Sequence, residues 1–148
     1  METDTEMPGI AGILTRVSRG KHKEELSAMI NCMMHEPFYV SGTFVDETIG
    51  MHGGWVSHPN SFAEYMPVIN EKKDIALILS GENFLDSEVV KDLRRQGYDY
   101  GEFNPRYLLH MYEDDTNEFL KQLNGWFSGV LLDRRENKVV LFNDRYGM

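Results

Sequence analysis

Apolar residues recur along this chain at two spacings, one typical of strands and the other of amphipathic helices. Short apolar or alternating runs predict strands at 7–15, 38–45, 49–56, 75–79, 126–132 and 138–142. Apolar residues three and four positions apart predict a first helix over 22–35, which Pro37 ends. The polar stretch DRREN between the last two apolar runs predicts a hairpin.

Local start and stop signals predict the remaining helices. Asp86 or Ser87 can cap a helix that ends at Gly97. Asn104-Pro105 combines a capping side chain with a proline suited to the first helical turn, so it predicts the start of the next helix. A short helix is predicted over 116–123, and residues 57–66 are predicted to form a loop.

The order of these elements predicts a layered domain. The run 75–79 is apolar without interruption, so a strand there needs cover on both faces. A helix layer on one side and a second sheet on the other would supply that cover, which predicts an α+β fold. We interpret residues 1–7 as a flexible acidic leader and 8–148 as the domain.

Composition and charge narrow the functional classes. The chain has 148 residues, 41% of them hydrophobic, which suffices for one domain with a sizeable core. Its net charge of −9 argues against nucleic acid and anionic membranes as partners. A single cysteine, Cys32, suits a reducing compartment, and no signal peptide is recognisable, so a cytoplasmic location is expected. The histidines show no metal-ligand spacing, so no metal is expected.

Three segments carry a resemblance to a known family. They are PGIAGIL at the start, SGENFLDSEVVKDLRRQGYDY in the middle, and YLLHMYEDDTNEFLKQLNGWFSGVLLDRRENKVVLFNDRYGM at the end. Together, in this order and spacing, they resemble the class II glutamine amidotransferase domain of the glutamine-hydrolysing asparagine synthetases. The resemblance implies the four-layer αββα sandwich of the Ntn-hydrolase (N-terminal-nucleophile) type.

The same resemblance implies a catalytic site whose key groups are replaced here. The family nucleophile is an N-terminal cysteine before Gly-Ile-Ala-Gly-Ile, and this chain has Pro8 there, inside the chain. The family oxyanion hole uses the Asn side chain and Gly amide of Asn-Gly-Glu, which become Ser80 and Gly81. From the residues alone, a turn after a strand is the simpler interpretation of Ser80-Gly81.

The substrate-binding positions implied by the family also differ. Alignment on His35 places Glu36 where the family has an arginine that holds the glutamine carboxylate, and no arginine occurs between Arg19 and Arg94. Asn104 replaces an aspartate that helps hold the glutamine amine, and a helix N-cap is its simpler role.

The family's second group facing that amine remains, as Glu82. Gly81 and Glu82 are therefore the remnants of substrate binding, and no catalytic residue is assigned. The resemblance implies a degenerate domain of an asparagine-synthetase-like, amide-forming ligase, inactive as a glutaminase and acting as a structural or regulatory domain.

Two alternatives remain open from the sequence. A working glutaminase would need either cleavage after Met7 or recruitment of Cys32, although a small, partly buried hydrophobic residue is the simpler interpretation of Cys32. The domain would otherwise be an interaction or ligand-sensing module.

The resemblance also implies what accompanies this domain. In the family, further strands and an ATP-dependent synthetase domain follow the segment that corresponds to the last residues here. No cofactor is expected in this chain, and ATP and Mg²⁺ are expected only in the synthetase domain. The expected partner is such a domain or subunit. A homodimer is a second possibility, because a sheet lacking its last strands has a free edge.

Overall fold

The computed structural model describes residues 8–17, 20–98 and 105–147. Its strands are β1 (Ile10–Leu14), β2 (Val40–Asp46), β3 (Met51–Ser57), β4 (Val68–Ile69), β5 (Ile75–Asn83), β6 (Gly125–Asp133) and β7 (Lys138–Asn143). Its α-helices are α1 (His22–Met33), α2 (Ser87–Arg95), α3 (Tyr107–Asp114) and α4 (Phe119–Gln122), and a short 3-10 helix spans Phe62–Tyr65. The predicted leader 1–7 and Asn104 lie outside the described residues.

The first sheet has the strand order β1-β3-β2 and is antiparallel throughout. Helix α1 packs on its outer face, where Leu26 and Ile30 form a small core with Val56 of β3. Gly54 permits this close approach, because a Cβ at that position would collide with the side chain of Ile30. The outer face of the sheet is therefore covered by one helix.

The second sheet has the order β4-β5-β6-β7 and is also antiparallel. Its long central pair runs from Ile75 opposite Asp133 to Asn83 opposite Gly125. Residues 75–80 of β5 are all buried, as the uninterrupted apolar run predicts. The hairpin predicted around DRREN is confirmed, since β6 and β7 pair across the turn 134–137.

The two sheets face one another through alternate residues of β3 and β5. A Cβ at Gly53 would lie 2.8 Å from Ile78 Cδ1, so these two positions meet between the sheets. The other face of β5 is covered by helix α3, because Asn83 Nδ2 donates a hydrogen bond to Tyr107 Oη at 2.8 Å. The α+β prediction is consistent with this mixed structure of two antiparallel sheets and packed helices.

Several predicted boundaries differ from the structure. Strand β5 does not end at Leu79 but continues through Ser80 and Gly81 to Asn83, because β6 keeps pairing with it. The prediction of a turn at Ser80-Gly81 is therefore wrong. Helix α1 ends at Met33, two residues before the predicted end.

Three further elements also differ from the predictions. The predicted loop 57–66 contains the 3-10 helix, and the two-residue strand β4 was not predicted. Helix α3 begins at Tyr107, after a turn at Pro105 and Arg106, and not at Pro105. The cap of α2 is as predicted, since the Asp86 side chain accepts a hydrogen bond from Glu88 N.

Candidate functional site

The segment PGIAGIL, which resembles the family's N-terminus, begins at one end of the first sheet and continues as β1. The carbonyl of Gly9 accepts a hydrogen bond from Val56 N at 2.9 Å, which extends the pairing of β1 with β3 beyond its last regular residues. The antiparallel register then places Pro8 beside Ser57. Ser57 is 1% exposed, and its Oγ has no hydrogen-bond partner among the described residues. Pro8, at the position that the sequence resemblance assigns to the nucleophile, thus stands just before β1.

The hydroxyl of Ser80 joins the second sheet to the first. Ser80 is 3% exposed, and its Oγ lies 3.2 Å from the carbonyl oxygen of Val56. A carbonyl oxygen only accepts hydrogen bonds, so the hydroxyl is the donor. Val56 therefore bonds to Gly9 through its N–H and to Ser80 through its carbonyl, so the residues that the resemblance assigns to the nucleophile and the oxyanion hole lie at the same end of the two sheets.

Gly81 occupies a backbone conformation that side chains rarely adopt. Its φ is +109°, and a Cβ there would collide with the carbonyl oxygen of Trp126 and lie 2.8 Å from Phe127 Cα. The glycine is therefore required by the close approach of β6. This backbone geometry is part of the fold whether or not the amide of Gly81 serves a ligand.

The end of β5 carries one exposed and one buried polar side chain. Glu82 is exposed, opposite Trp126 in the ladder, whereas Asn83 is buried. Asn83 accepts a hydrogen bond from Asn124 N at 2.8 Å and donates to the hydroxyl of Tyr107. Burial raises the pKa of Tyr107 to about 12, and the hydrogen bond from Asn83 opposes that rise. This anchor was not predicted, because no local pattern links two residues on different elements.

Glu36 lies in the exposed turn between α1 and β2. Its backbone carbonyl accepts a hydrogen bond from Tyr39 N at 3.2 Å. Tyr39 in turn packs edge-on against His58, which directly follows β3, with ring centroids 5.0 Å apart. The turn that carries Glu36 is thus attached to the same end of the first sheet as Pro8.

Cys32 lies on the opposite side of the first sheet from Ser80. It is exposed on helix α1, which corrects the interpretation of a partly buried residue. The physical reason is helical geometry, since Cys32 is two residues, or about 200°, from the buried Ile30. Met29, one of the apolar residues whose spacing predicts this helix, is also 40% exposed.

The last motif of the resemblance forms a tight structural turn. Asp144 is buried, and its carboxylate accepts hydrogen bonds from the backbone N–H groups of Phe127, Tyr146 and Gly147. This role explains why an aspartate occurs there without assigning it any chemistry. The sequence singled out the motif but did not indicate that its function here is to hold β7 against β6.

The residues that the structure describes offer neither a metal-binding cluster nor a membrane-spanning helix. No group of three or more histidine, cysteine, aspartate or glutamate side chains there is arranged to hold a metal ion. None of the helices in the described ranges has the length and apolar character needed to cross a membrane.

Comparison with known proteins defines the class of this chain. The sequence profile of the glutamine amidotransferase domain matches residues 7–148. The match covers almost the whole chain, so the chain belongs to this family.

Individual relatives are glutamine-hydrolysing asparagine synthetases. The chain is 33% identical over 82 residues to asparagine synthetase [glutamine-hydrolyzing] of Brassica oleracea and to asparagine synthetase [glutamine-hydrolyzing] 1 of Arabidopsis thaliana. It is 32% identical over 82 residues to the nodule enzyme of Pisum sativum. In each case the match covers 55% of this chain and only 14% of the relative, so this chain corresponds to a small part of those proteins.

Proposed function

We propose that this glutamine amidotransferase domain is inactive as a glutaminase and serves as a structural or regulatory domain of an amide-forming ligase. The observation that carries the proposal is Pro8 at the family's nucleophile position. Proline has no nucleophilic side chain, and the Pro8 nitrogen lies within a peptide bond. Amide hydrolysis by this class of domain depends on a thiol whose attack forms a covalent intermediate.

The geometry of Ser80 supports the same proposal. Its hydroxyl hydrogen is directed at the carbonyl of Val56, so that it would not serve an oxyanion in this arrangement. The loss of one oxyanion-hole donor typically lowers the rate by about 10²–10³-fold. Only the backbone amide of Gly81 remains as a donor at the family's position.

The alternative of a working glutaminase has two routes. Cys32 is a poor candidate because α1 covers the outer face of the first sheet, whereas Ser80 meets Val56 from the inner face. Cleavage after Met7 would expose the secondary amine of Pro8, which is not equivalent to a thiol. The Cys32→Ala variant tests the first route, and the intact mass of the chain tests the second.

We further propose the setting in which the domain acts. The contacts of α1, the two sheets and α3 are compatible with the four-layer αββα sandwich of the Ntn-hydrolase type. The expected partner is an ATP-dependent synthetase domain or subunit, which would carry the ATP and Mg²⁺ sites, and a homodimer is a second possibility. A cytoplasmic location suits the single cysteine and the acidic charge.

The deciding experiment is a glutamine titration by calorimetry followed by assays of ammonia and glutamate in the same sample. We expect neither product above the buffer control, from a chain whose intact mass has been measured. Ammonia release by the wild-type chain that is lost in Cys32→Ala would overturn the proposal in favour of a recruited thiol. Release that depends on a chain beginning at Pro8 would support the processed-terminus route.

A ligand-sensing role is the second candidate, favoured by the exposed Glu82 next to Gly81. Glutamine binding without turnover, weakened in Glu82→Gln, would support it. The matched control is Glu88→Gln, which alters an exposed glutamate of α2 paired with Lys91. Neither binding nor turnover would favour a purely structural domain.

A further inference from the structure

A cleft of about 510 Å³ lies at the opposite end of the two sheets from Ser80. Its lining includes Phe44 of β2, Ile69 of β4 and Ala76 near the start of β5, and the turn 71–73 forms part of its edge. A volume of this size falls within the usual range for small-molecule sites. None of the residues discussed above as the remnant amidotransferase site lines this cleft.

Arg134 links its own turn, 134–137, to Asp46 at the end of β2 and to the turn 71–73. Its Nε donates to Asp46 Oδ2 at 2.6 Å, and its Nη1 donates to the carbonyl of Lys73 at 2.6 Å. The carboxyl group of Asp46 is only 1% exposed, whereas the Arg134 side chain is 42% exposed. The guanidinium is therefore fixed in orientation, and its other N–H groups make no hydrogen bond to the described residues.

The charged and apolar residues that line the cleft indicate which kind of ligand would fit it. Lys73 lines the cleft, and its ammonium group has no partner among the described residues. Asp74, which also lines it, already accepts a hydrogen bond from Asn70 Nδ2 at 2.7 Å. Glu71 and Asp74 are the acids of the lining, and Lys73, Arg106 and Arg134 are its basic residues, so bases outnumber acids there. The apolar residues of the lining are Phe44, Ile69, Ile75, Ala76 and Leu132.

We propose that this cleft binds a small monocarboxylate with a short apolar body. The carboxylate would bind Arg134 and Lys73, since a fixed guanidinium matches the planar geometry of a carboxylate. The apolar body would cover Ile69, which is 39% exposed, and the neighbouring Phe44 and Ala76. The site is independent of the proposed function, because it uses residues at the other end of the domain.

The test uses isocaproate as the probe and isohexylamine, with the same carbon skeleton and opposite charge, as the control ligand. Binding is followed through the backbone amide chemical shifts of Asn70 and Ala76 in the whole chain. We expect saturable shifts with isocaproate and none with the amine. Lys73→Asn should raise the dissociation constant about three- to fivefold, because fivefold corresponds to the upper value of about 1 kcal/mol for an exposed charge contact.

The matched control variant is Lys72→Asn, which removes an equal charge from the same turn but from a residue that does not line the cleft. It should change the dissociation constant by less than about twofold. Asparagine also suits the left-handed backbone of Lys73, whose φ is 58°. No saturable shift with isocaproate, equal shifts with the amine, or equal weakening by both variants would each overturn the proposal.

Discussion

Ser80 of β5 and Val56 of β3 are joined by a hydrogen bond of 3.2 Å from the serine hydroxyl to the backbone carbonyl. The bond crosses from one sheet to the other and involves two almost fully buried residues. Ser80, at the position that the sequence resemblance assigns to the oxyanion hole, thus helps to hold the two sheets together. This relationship connects the stability of the domain to its expected loss of chemistry.

Removal of this hydroxyl should destabilise the fold. Ser80→Ala leaves the buried carbonyl of Val56 without this donor, so we expect the free energy of unfolding to fall by about 1–2 kcal/mol. Urea denaturation measures the change. The control is Ser128→Ala, at the cross-strand partner of Ser80, whose hydroxyl makes no hydrogen bond within the described residues. A loss in the control as large as that in Ser80→Ala would contradict the assignment.

Gly81→Ala should be among the more damaging substitutions in the second sheet. The new Cβ would collide with the carbonyl oxygen of Trp126 at a φ of +109°, so we expect a loss of at least about 2 kcal/mol. Gly97→Ala is the control, because φ is also positive there, at +89°, but no atom of the described residues lies within 4 Å of the new Cβ. This substitution should lower the free energy of unfolding by only about 1 kcal/mol. If both variants lose a similar amount of unfolding free energy, the collision with β6 does not contribute to the effect of Gly81→Ala.

The buried Asp133 should make the domain sensitive to acid. The Arg135 side chain, which binds both carboxylate oxygens, holds the pKa of Asp133 below its usual value, and the hydrogen bond from Tyr112 adds to this effect. Because the folded-state pKa is the lower one, this stabilisation is present above the unfolded pKa of about 3.9 and is lost as the pH falls through the folded-state value. Arg135→Gln should reduce that acid-dependent loss.

The same variant should be less stable at neutral pH. Arg135→Gln leaves a fully buried carboxylate without its ionic partner, so we expect the free energy of unfolding to fall. Because Arg135 itself is 41% exposed, solvent screens the pair, and the expected fall is about 2–3 kcal/mol, which is less than for a fully buried pair. Arg95→Gln is the control, since the Arg95–Asp92 pair is 75% and 63% exposed and should contribute less than about 0.5 kcal/mol. Urea denaturation at pH 7 and through the acid range measures both effects.

Alkaline conditions should weaken the contact between α3 and β5. The pKa of Tyr107 is raised to about 12, so the unfolded chain releases this proton first and stability should fall between about pH 10 and 12. Tyr107→Phe should show a shallower fall, with a loss of about 1 kcal/mol at neutral pH from the unpaired Asn83 amide. Phe62→Leu is the control, because it disturbs packing beside Tyr107 without removing a titrating group. An unchanged alkaline slope in Tyr107→Phe would refute the assignment.

Local signals predicted much of the secondary structure. The cap at Asp86, the apolar run of β5 and the polar turn between β6 and β7 each depend on neighbouring residues, so the sequence alone indicates them. The continuation of β5 past Ser80 was missed because a serine followed by glycine favours a turn locally. Pairing with β6 overrides that preference, since the glycine lets the two backbones approach closely.

By itself, the sequence determined the family and carried the motifs on which the site prediction rests. These features require only residue types in order, and the proline at position 8 is visible without coordinates. Tertiary structure decided which groups meet. It directed Ser80 to Val56, placed Cys32 and Ser80 on opposite sides of the first sheet, and brought Arg134 to Asp46 and the carbonyl of Lys73. Such contacts join residues far apart in the chain, so they depend on sheet register and packing and not on any local pattern.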